Sequence, residues 1–331
     1  MGVAGGRLHA MLVAAAVCMP VIAAAETVRC SHEFPPQHYA TTLIDRWAED
    51  VERFSKGRIE IDVVGGANLF EPDENIRAVA RGDIECAFSL NFQWSRTLPL
   101  MTVTLAPFMT ASPNIPRRWV NSQAVEVLEE AMREKGVQSV AWMFLTNQLV
   151  ITSKGRHIIK PEDFAGLRMR GRIPVLDRTL RSLGTRTLPM DSGQLYESMR
   201  TGVIDSAMTD VAVAAMARLY EQHDHMVLLP LISVYANVYV TARRYDALDD
   251  DLKQAFRQAG ADVEQLSVAQ SEAAAAAATA VLRERGVNLH VATDEEIAVL
   301  RDALQPVFLE LFLQETGEQG RQLLDLVRDL E

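Results

Sequence analysis

The sequence predicts an α/β protein of two lobes with one long helix lying across both. Three observations carry the prediction. Strand-like and helix-like segments alternate from residue 27 to 90, the alternation resumes with different content between 139 and 208, and residues 249–286 form a helical stretch free of proline. Strand, helix, strand, helix, strand within about sixty residues requires crossover connections and a parallel sheet.

The elements follow in order. Segment 27–34 (TVRCSHEF) reads as a strand, and Leu43, Ile44, Trp47, Val51 and Phe54 recur at helical spacing through 38–55. Ser55-Lys56-Gly57 closes that helix, and 58–63 alternates as a second strand. A helix over 73–81 ends at Gly82, before the apolar strand 84–90. The second round opens with a helix over 114–135 and strands at 139–144 and 148–153. Next come a strand at 167–170, helices at 174–183 and 193–201, and a short strand at 204–208. Asp249 is a suitable N-cap for the long helix, which ends at Gly286 and spans roughly 50 Å at 1.5 Å per residue. Residues 294–330 read as two further amphipathic helices. The expected division is 26–145 with 235–275 for the first lobe, and 146–234 with 276–331 for the second. Ligands of such folds sit in the crevice beyond the carboxyl ends of the strands.

The N-terminus has Arg7, an apolar run of about a dozen residues and Ala23-Ala24-Ala25, the layout of a secretory signal. The run is shorter than the roughly 20 residues of a membrane span, so cleavage after Ala25, export to the periplasm and no later membrane insertion are expected. Loss of Arg7 would take the formal charge from −11 to −12. That balance argues against a nucleic-acid partner or an anionic membrane surface, but not against a small anion gripped by clustered arginines. Cys30 and Cys86 remain in an oxidising compartment, each in an expected strand; pairing and two separately buried thiols are both open.

Catalytic signatures are missing: there is no HExxH, GxSxG, phosphate-binding loop or GxGxxG. Neither cofactor nor metal is expected. The acids at Asp249–Asp251 and Glu295-Glu296 suit helix N-termini, His32 at the end of the first strand suits a structural role or a ligand contact, and His223 and His225 around Asp224 make only a weak metal motif.

Residues 166–174, GLRMRGRIP, are the most informative stretch. Arg168 and Arg170 share one face of a short strand, with Leu167 and Met169 opposite. The second of them, nearer the carboxyl end, is placed to offer a planar fork to a carboxylate in the crevice. The alternative from periodicity alone is a surface arginine paired with a nearby acid.

Several motifs in order resemble one family. They are Phe54-Ser55-Lys56-Gly57-Arg58-Ile59, Gly82-Asp83-Ile84, Pro107-Phe108, the run from Pro161 to Arg170, Leu188-Pro189-Met190, and the run from Leu195 to Asp205. Together they resemble the periplasmic solute receptors of tripartite ATP-independent (TRAP) transporters. The resemblance implies a type II-like periplasmic binding protein fold, a small carboxylate ligand, membrane subunits of the transporter as partners, and no enzyme activity. The arginine closing the Gly-Leu-x-x-Arg strand grips the carboxylate in that family, which assigns the role to Arg170. The pocket position after Asp205 falls on Thr209, with Asp210 beside it as a partner for a ligand amine or a helix cap. A second family arginine aligns with Gln148, a departure that favours a singly charged acid; Arg172 is the substitute cation. Loops of the first lobe would supply Phe34, Ser89, Asn91, Phe92 and Trp94. Trp142, Phe144, Tyr235, Asn237 and Tyr239 would mark the crossings. Receptors for ATP-driven transporters or sensor kinases, and an exported enzyme, are the alternatives.

Overall fold

The computed structural model describes residues 25–330, so the expected leader falls almost wholly outside the described residues. The first lobe begins with β1 (Glu26–Ser31), α1 (Tyr39–Phe54), β2 (Ile59–Val64), α2 (Asn75–Arg81) and β3 (Cys86–Leu90). Helix α1 buries Leu43, Ile44, Trp47 and Val51, its expected apolar stripe. The single helix expected at 114–135 is two, α3 (Ile115–Trp119) and α4 (Gln123–Glu134). The break comes at Ser122, whose hydroxyl accepts the Val125 N–H and caps α4.

Strand β4 (Val137–Thr146) is followed by β5 (Leu149–Ser153), β6 (Arg168–Gly171), α5 (Pro174–Arg181), β7 (Arg186–Pro189), α6 (Leu195–Arg200), β8 (Ala207–Asp210), α7 (Val211–Met216) and β9 (His225–Leu229). The chain closes with β10 (Val234–Thr241), α8 (Ala242–Ala247), α9 (Asp250–Glu284), β11 (Asn288–Val291) and α10 (Asp294–Arg328). Gly317 has φ 59 and ψ −138, which splits α10 into two helical pieces.

The strands form a five-stranded sheet ordered β2-β1-β3-β10-β4, a four-stranded sheet ordered β11-β9-β5-β8, and the pair β6-β7. Strands β1, β2 and β3 run parallel as expected, but β10 inserts antiparallel between β3 and β4, so the first sheet is mixed. The chain passes between sheets at Asn147-Gln148 and again at 230–233, giving two lobes joined by two strand crossings. Cys30 lies opposite Cys86 in the β1/β3 register, and the two form a disulfide that closes 56 residues of chain.

Helix α9 packs on α1 and β4 of the first lobe and on α7 and β11 of the second. A Cβ at Gly260 would overlap the carbonyl oxygen of Val140, so glycine lets α9 lie flush on β4. Helix α10 packs on 99–105, α4 and α5, and thereby touches both lobes. No helix among the described residues is long and apolar enough to cross a membrane.

Candidate functional site

A cavity of about 140 Å³ opens between the lobes, beside both crossings. Phe34, His38, Leu90 and Phe92 line it from the first lobe; Arg170, Arg172, Ser192, Thr209 and Asp210 line it from the second. Leu145, Leu149, Ile232 and Val234 line it from the ends of the crossing strands.

The three arginines of GLRMRGRIP meet different fates. Arg168 is clamped by Asp205, its Nε donating to Oδ2 at 2.9 Å while its backbone N–H donates to the same oxygen at 2.9 Å. That pairing holds the Asp205 carboxyl below its ordinary range. Arg172 donates to Glu33 Oε2 at 2.7 Å, lies 3.3 Å from Asp191 Oδ1, and has only 15% of its side chain exposed. Glu33 follows β1 and Arg172 follows β6, so this ion pair bridges the lobes. Arg170 donates from Nε to the Met190 carbonyl at 3.3 Å and from Nη2 to the Ser192 hydroxyl at 2.9 Å, both neutral partners. Among the described residues it is the arginine of the three with no carboxylate within salt-bridge distance. Burial first, and then the neighbouring Arg172, pull its pKa down to about 10, which leaves it charged at neutral pH.

A strand end delivers that guanidinium because β6 stops at Gly171, where a Cβ would come within 2.8 Å of Asp177 Oδ2. Asp177 in turn accepts the Arg172 backbone N–H at 3.3 Å, and burial pushes its pKa up to about 6. Asp210 caps α7 by accepting the Ala212 N–H, and burial pushes its pKa up to about 7. His38 accepts the Ala40 N–H at Nδ1, 3.1 Å away, capping α1. Burial, with His32 adding to it, lowers its pKa to about 4, so the ring is neutral and carries its proton on Nε2. A half-buried cation without an acid, a neutral imidazole donor and a hydroxyl lining one cavity form an arrangement suited to holding an anion.

The family model described as bacterial extracellular solute-binding protein, family 7, matches residues 30–315. The chain belongs to this family. A solute-binding protein of Albidiferax ferrireducens is 26% identical over 215 residues, 62% of this chain and 63% of that one. The C4-dicarboxylate-binding periplasmic protein DctP of Rhodobacter capsulatus is 22% identical over 310 residues, covering 93% and 92% of the two chains. Among solved structures, a TRAP periplasmic solute-binding protein from Chromohalobacter salexigens with bound D-glucuronate superposes with a TM-score of 0.84 at 22% identity, covering 92% of this chain and 100% of that one. One from Rhodoferax ferrireducens with bound malonate gives 0.83 at 20% identity, covering 92% and 98%. These likenesses share the two-lobed fold described above.

Within this family-7 chain, the cavity gathers Arg170, Arg172, Thr209, Asp210, Phe34 and Phe92 of the residues expected from the sequence. Ser89, Asn91, Tyr235 and Asn237 are placed elsewhere. Ser89 bonds the Tyr239 hydroxyl at 2.7 Å, and Asn91 donates to Thr104 Oγ1 at 2.5 Å. Asn237 donates to Ser139 Oγ at 3.0 Å and the Ala141 carbonyl at 3.1 Å. Tyr235 is fully buried against Trp119, ring centroids 5.2 Å apart. All four sit within or just beyond the central strands β3 and β10, where side chains on either face meet packed helices rather than the crevice. Trp94, Trp142, Phe144 and Tyr239 are core residues as well.

Gln148 is also absent from the lining. It lies in the first crossing, where its carbonyl accepts the Val211 N–H at 3.1 Å and its amide leans on Asn147. The second guanidinium of the cavity is therefore Arg172. His32 is structural, its Nδ1 accepting the Phe34 N–H at 3.1 Å. His223 bonds Thr152 and His225 bonds Asp224, and no group of three or more potential metal ligands converges among the described residues. Glu33, His38, Asp177 and Ser192 escaped the sequence reading. The signal for the first two was present: both follow the carboxyl end of β1, the criterion that selected Phe34.

Proposed function

We propose that the chain is the extracytoplasmic receptor of a TRAP transporter, which captures a small carboxylate and delivers it to membrane subunits. The observation that carries this reading is Arg170: a half-buried guanidinium lining an interlobe cavity, hydrogen-bonded among the described residues only to neutral groups. Its two neighbours are already neutralised by Asp205 and Glu33. The relatives named for TRAP transport support this partner over an ATP-driven transporter or a sensor kinase.

The lobes correspond to 26–145 with 235–275 and to 146–234 with 276–331. A carboxylate meets Arg170 on the open second lobe, with Thr209 and the His38 imidazole adding hydrogen bonds and Phe34 forming a wall. Closure about 147–148 and 230–233 removes water, and the lower effective dielectric strengthens the ion pair. The closed form persists to the extent that the ligand binds it better than the open form. Capture requires no covalent step, and the protein is not an enzyme. A leader over residues 1–25 directs it to the periplasm.

Calorimetry of the wild type and of Arg170→Ala against a panel of small carboxylates tests this reading. The wild type binds at least one acid. The variant loses affinity by about 30-fold to several thousand-fold, as expected on truncating one partner of a buried charge pair, with an unchanged circular dichroism spectrum. Equal affinity in the variant removes Arg170 from the site and the reading with it.

A further inference from the structure

We infer that the ligand is a monocarboxylate with a compact apolar body, a single ring or a branched chain, rather than a polyhydroxylated sugar acid or a diacid. The inference rests on the carboxylate-capture reading and names its substrate class. Three features of the cavity carry it.

The first is charge. Arg172 is committed to Glu33 at 2.7 Å and faces Asp191 at 3.3 Å. Asp177 and Asp210 add carboxyls to the same lining. Among the described residues that line the cavity, only Arg170 is an arginine without an acid partner, so the cavity offers charge complement for one carboxylate. A second carboxylate of a diacid would have to break the Arg172–Glu33 pair or lie unpaired beside acids.

The second is the supply of hydrogen bonds. Asp210 is used by the α7 cap, Asp177 accepts the Arg172 N–H, Ser192 accepts from Arg170, and the Thr146 hydroxyl accepts the Gln148 N–H at 3.0 Å. The donors that remain are the rest of the Arg170 fork, His38 Nε2–H and the Thr209 and Ser192 hydroxyls, and the acceptors are the unused lone pairs of Asp177 and Asp210. All of them lie on the polar side of the cavity, around the carboxylate position. A ring of hydroxyls would set most of its polar atoms against the apolar wall, where each would lose water without gaining a partner.

The third is the wall. More than half of the lining residues are aliphatic, aromatic or Met. They come from both sides: Leu90 and Phe92 of the first lobe oppose Ile173, Leu176, Leu180 and Met208 of the second. The volume, about 140 Å³, is close to that of an apolar cavity of about 150 Å³ that holds one benzene molecule. An apolar body of about six carbons therefore fills the space.

The test is calorimetry on the full chain with phenylacetate, 4-methylpentanoate, D-glucuronate and malonate, with 2-phenylethanol as the control lacking a carboxylate. Phenylacetate or 4-methylpentanoate should bind at least about 100-fold tighter than D-glucuronate, the factor by which an apolar pocket discriminates against an added hydroxyl. 2-Phenylethanol should bind weakly or not at all. Phe92→Ser and Ile173→Asn, at half-buried positions on opposite lobes, should each weaken the apolar acid about tenfold or more and weaken D-glucuronate by less. Glucuronate or malonate binding as tightly as the apolar acids overturns this inference while carboxylate capture stands. No binding of any of the four acids, together with no response to a wider carboxylate panel, overturns both.

Discussion

The two walls of the cavity are built differently. On the first-lobe side Ser89, Asn91 and Asn237, in or next to β3 and β10, bond Tyr239, Thr104 and Ser139 inside the fold, and what reaches the crevice is chiefly Phe34, Leu90 and Phe92. Glu33 and His38 are the exceptions, and both have structural partners. On the second-lobe side a short strand end presents Arg170, with Thr209 and Asp210 beside it on β8. One wall is a packed, disulfide-braced surface; the other carries the chemistry. On the proposed reading, ligand recognition begins on the second lobe and the first acts as a largely apolar cover. Changes in the first-lobe core, away from the cavity lining, should then register as stability, and changes around β6 and β8 as binding.

The largest effect expected on stability comes from the brace. Breaking Cys30–Cys86, by reduction or by the Cys30→Ser and Cys86→Ser double variant, releases a loop of 56 residues. The chain-entropy relation puts the loss at about 4 kcal/mol. Denaturant unfolding measures it, and the carboxylate affinity of the folded protein should not change. A parallel fall in affinity would mean that the first lobe does more than cover.

A smaller effect concerns Asp210, which burial holds up to about 7. The sign follows from its charge. Below that pH the group is neutral beside the bound anion, and above it a negative charge lines the same cavity. Affinity for a carboxylate should therefore fall as pH rises through about 7, by roughly tenfold, since a like charge nearby costs on the order of 1–4 kcal/mol at an effective dielectric near 20. Asp210→Asn, which retains an N-cap acceptor, should bind with little dependence on pH between 7 and 8, above the range in which the neighbouring Asp177, held up to about 6, titrates. The same raised pKa makes the protonated form favour the folded state, so stability contributed by Asp210 is present at low pH and lost as pH rises through about 7.

The smallest effect sharpens the contrast within one strand. Arg168→Ala removes an exposed ion pair with Asp205, so stability should drop by less than about 1 kcal/mol and affinity should stay within twofold. Thermal unfolding and calorimetry together check both statements. A binding defect equal to that of Arg170→Ala would erase the distinction between the two arginines.

Much of this was legible in the sequence. Alternating periodicities gave β1 to β6 with α1, α2, α5 and α6, while β9, β11, α7 and α8 drew no expectation, and the run 249–286 gave the helix that spans both lobes. The place of Arg170 beside the cavity was legible from its position at a strand end together with the family motif. What escaped depends on tertiary placement. Period-two alternation says that Ser89 and Asn237 lie on a strand, but not whether a packed helix or an open crevice faces them. The antiparallel insertion of β10 between β3 and β4 turned those positions into core. Gln148 was matched to a binding position by alignment, yet the first crossing turns it away from the cavity. The pairing of Cys30 with Cys86 became decidable once β1 and β3 were adjacent with those residues in register.

The most direct test of the central claim is an experimental structure of the protein with a carboxylate ligand bound. The carboxylate oxygens should lie about 3 Å from the Arg170 guanidinium, in the cavity between the lobes, with Phe34 and Phe92 closed over the ligand body. A carboxylate held by Arg168, or at any place outside that cavity, would contradict the account.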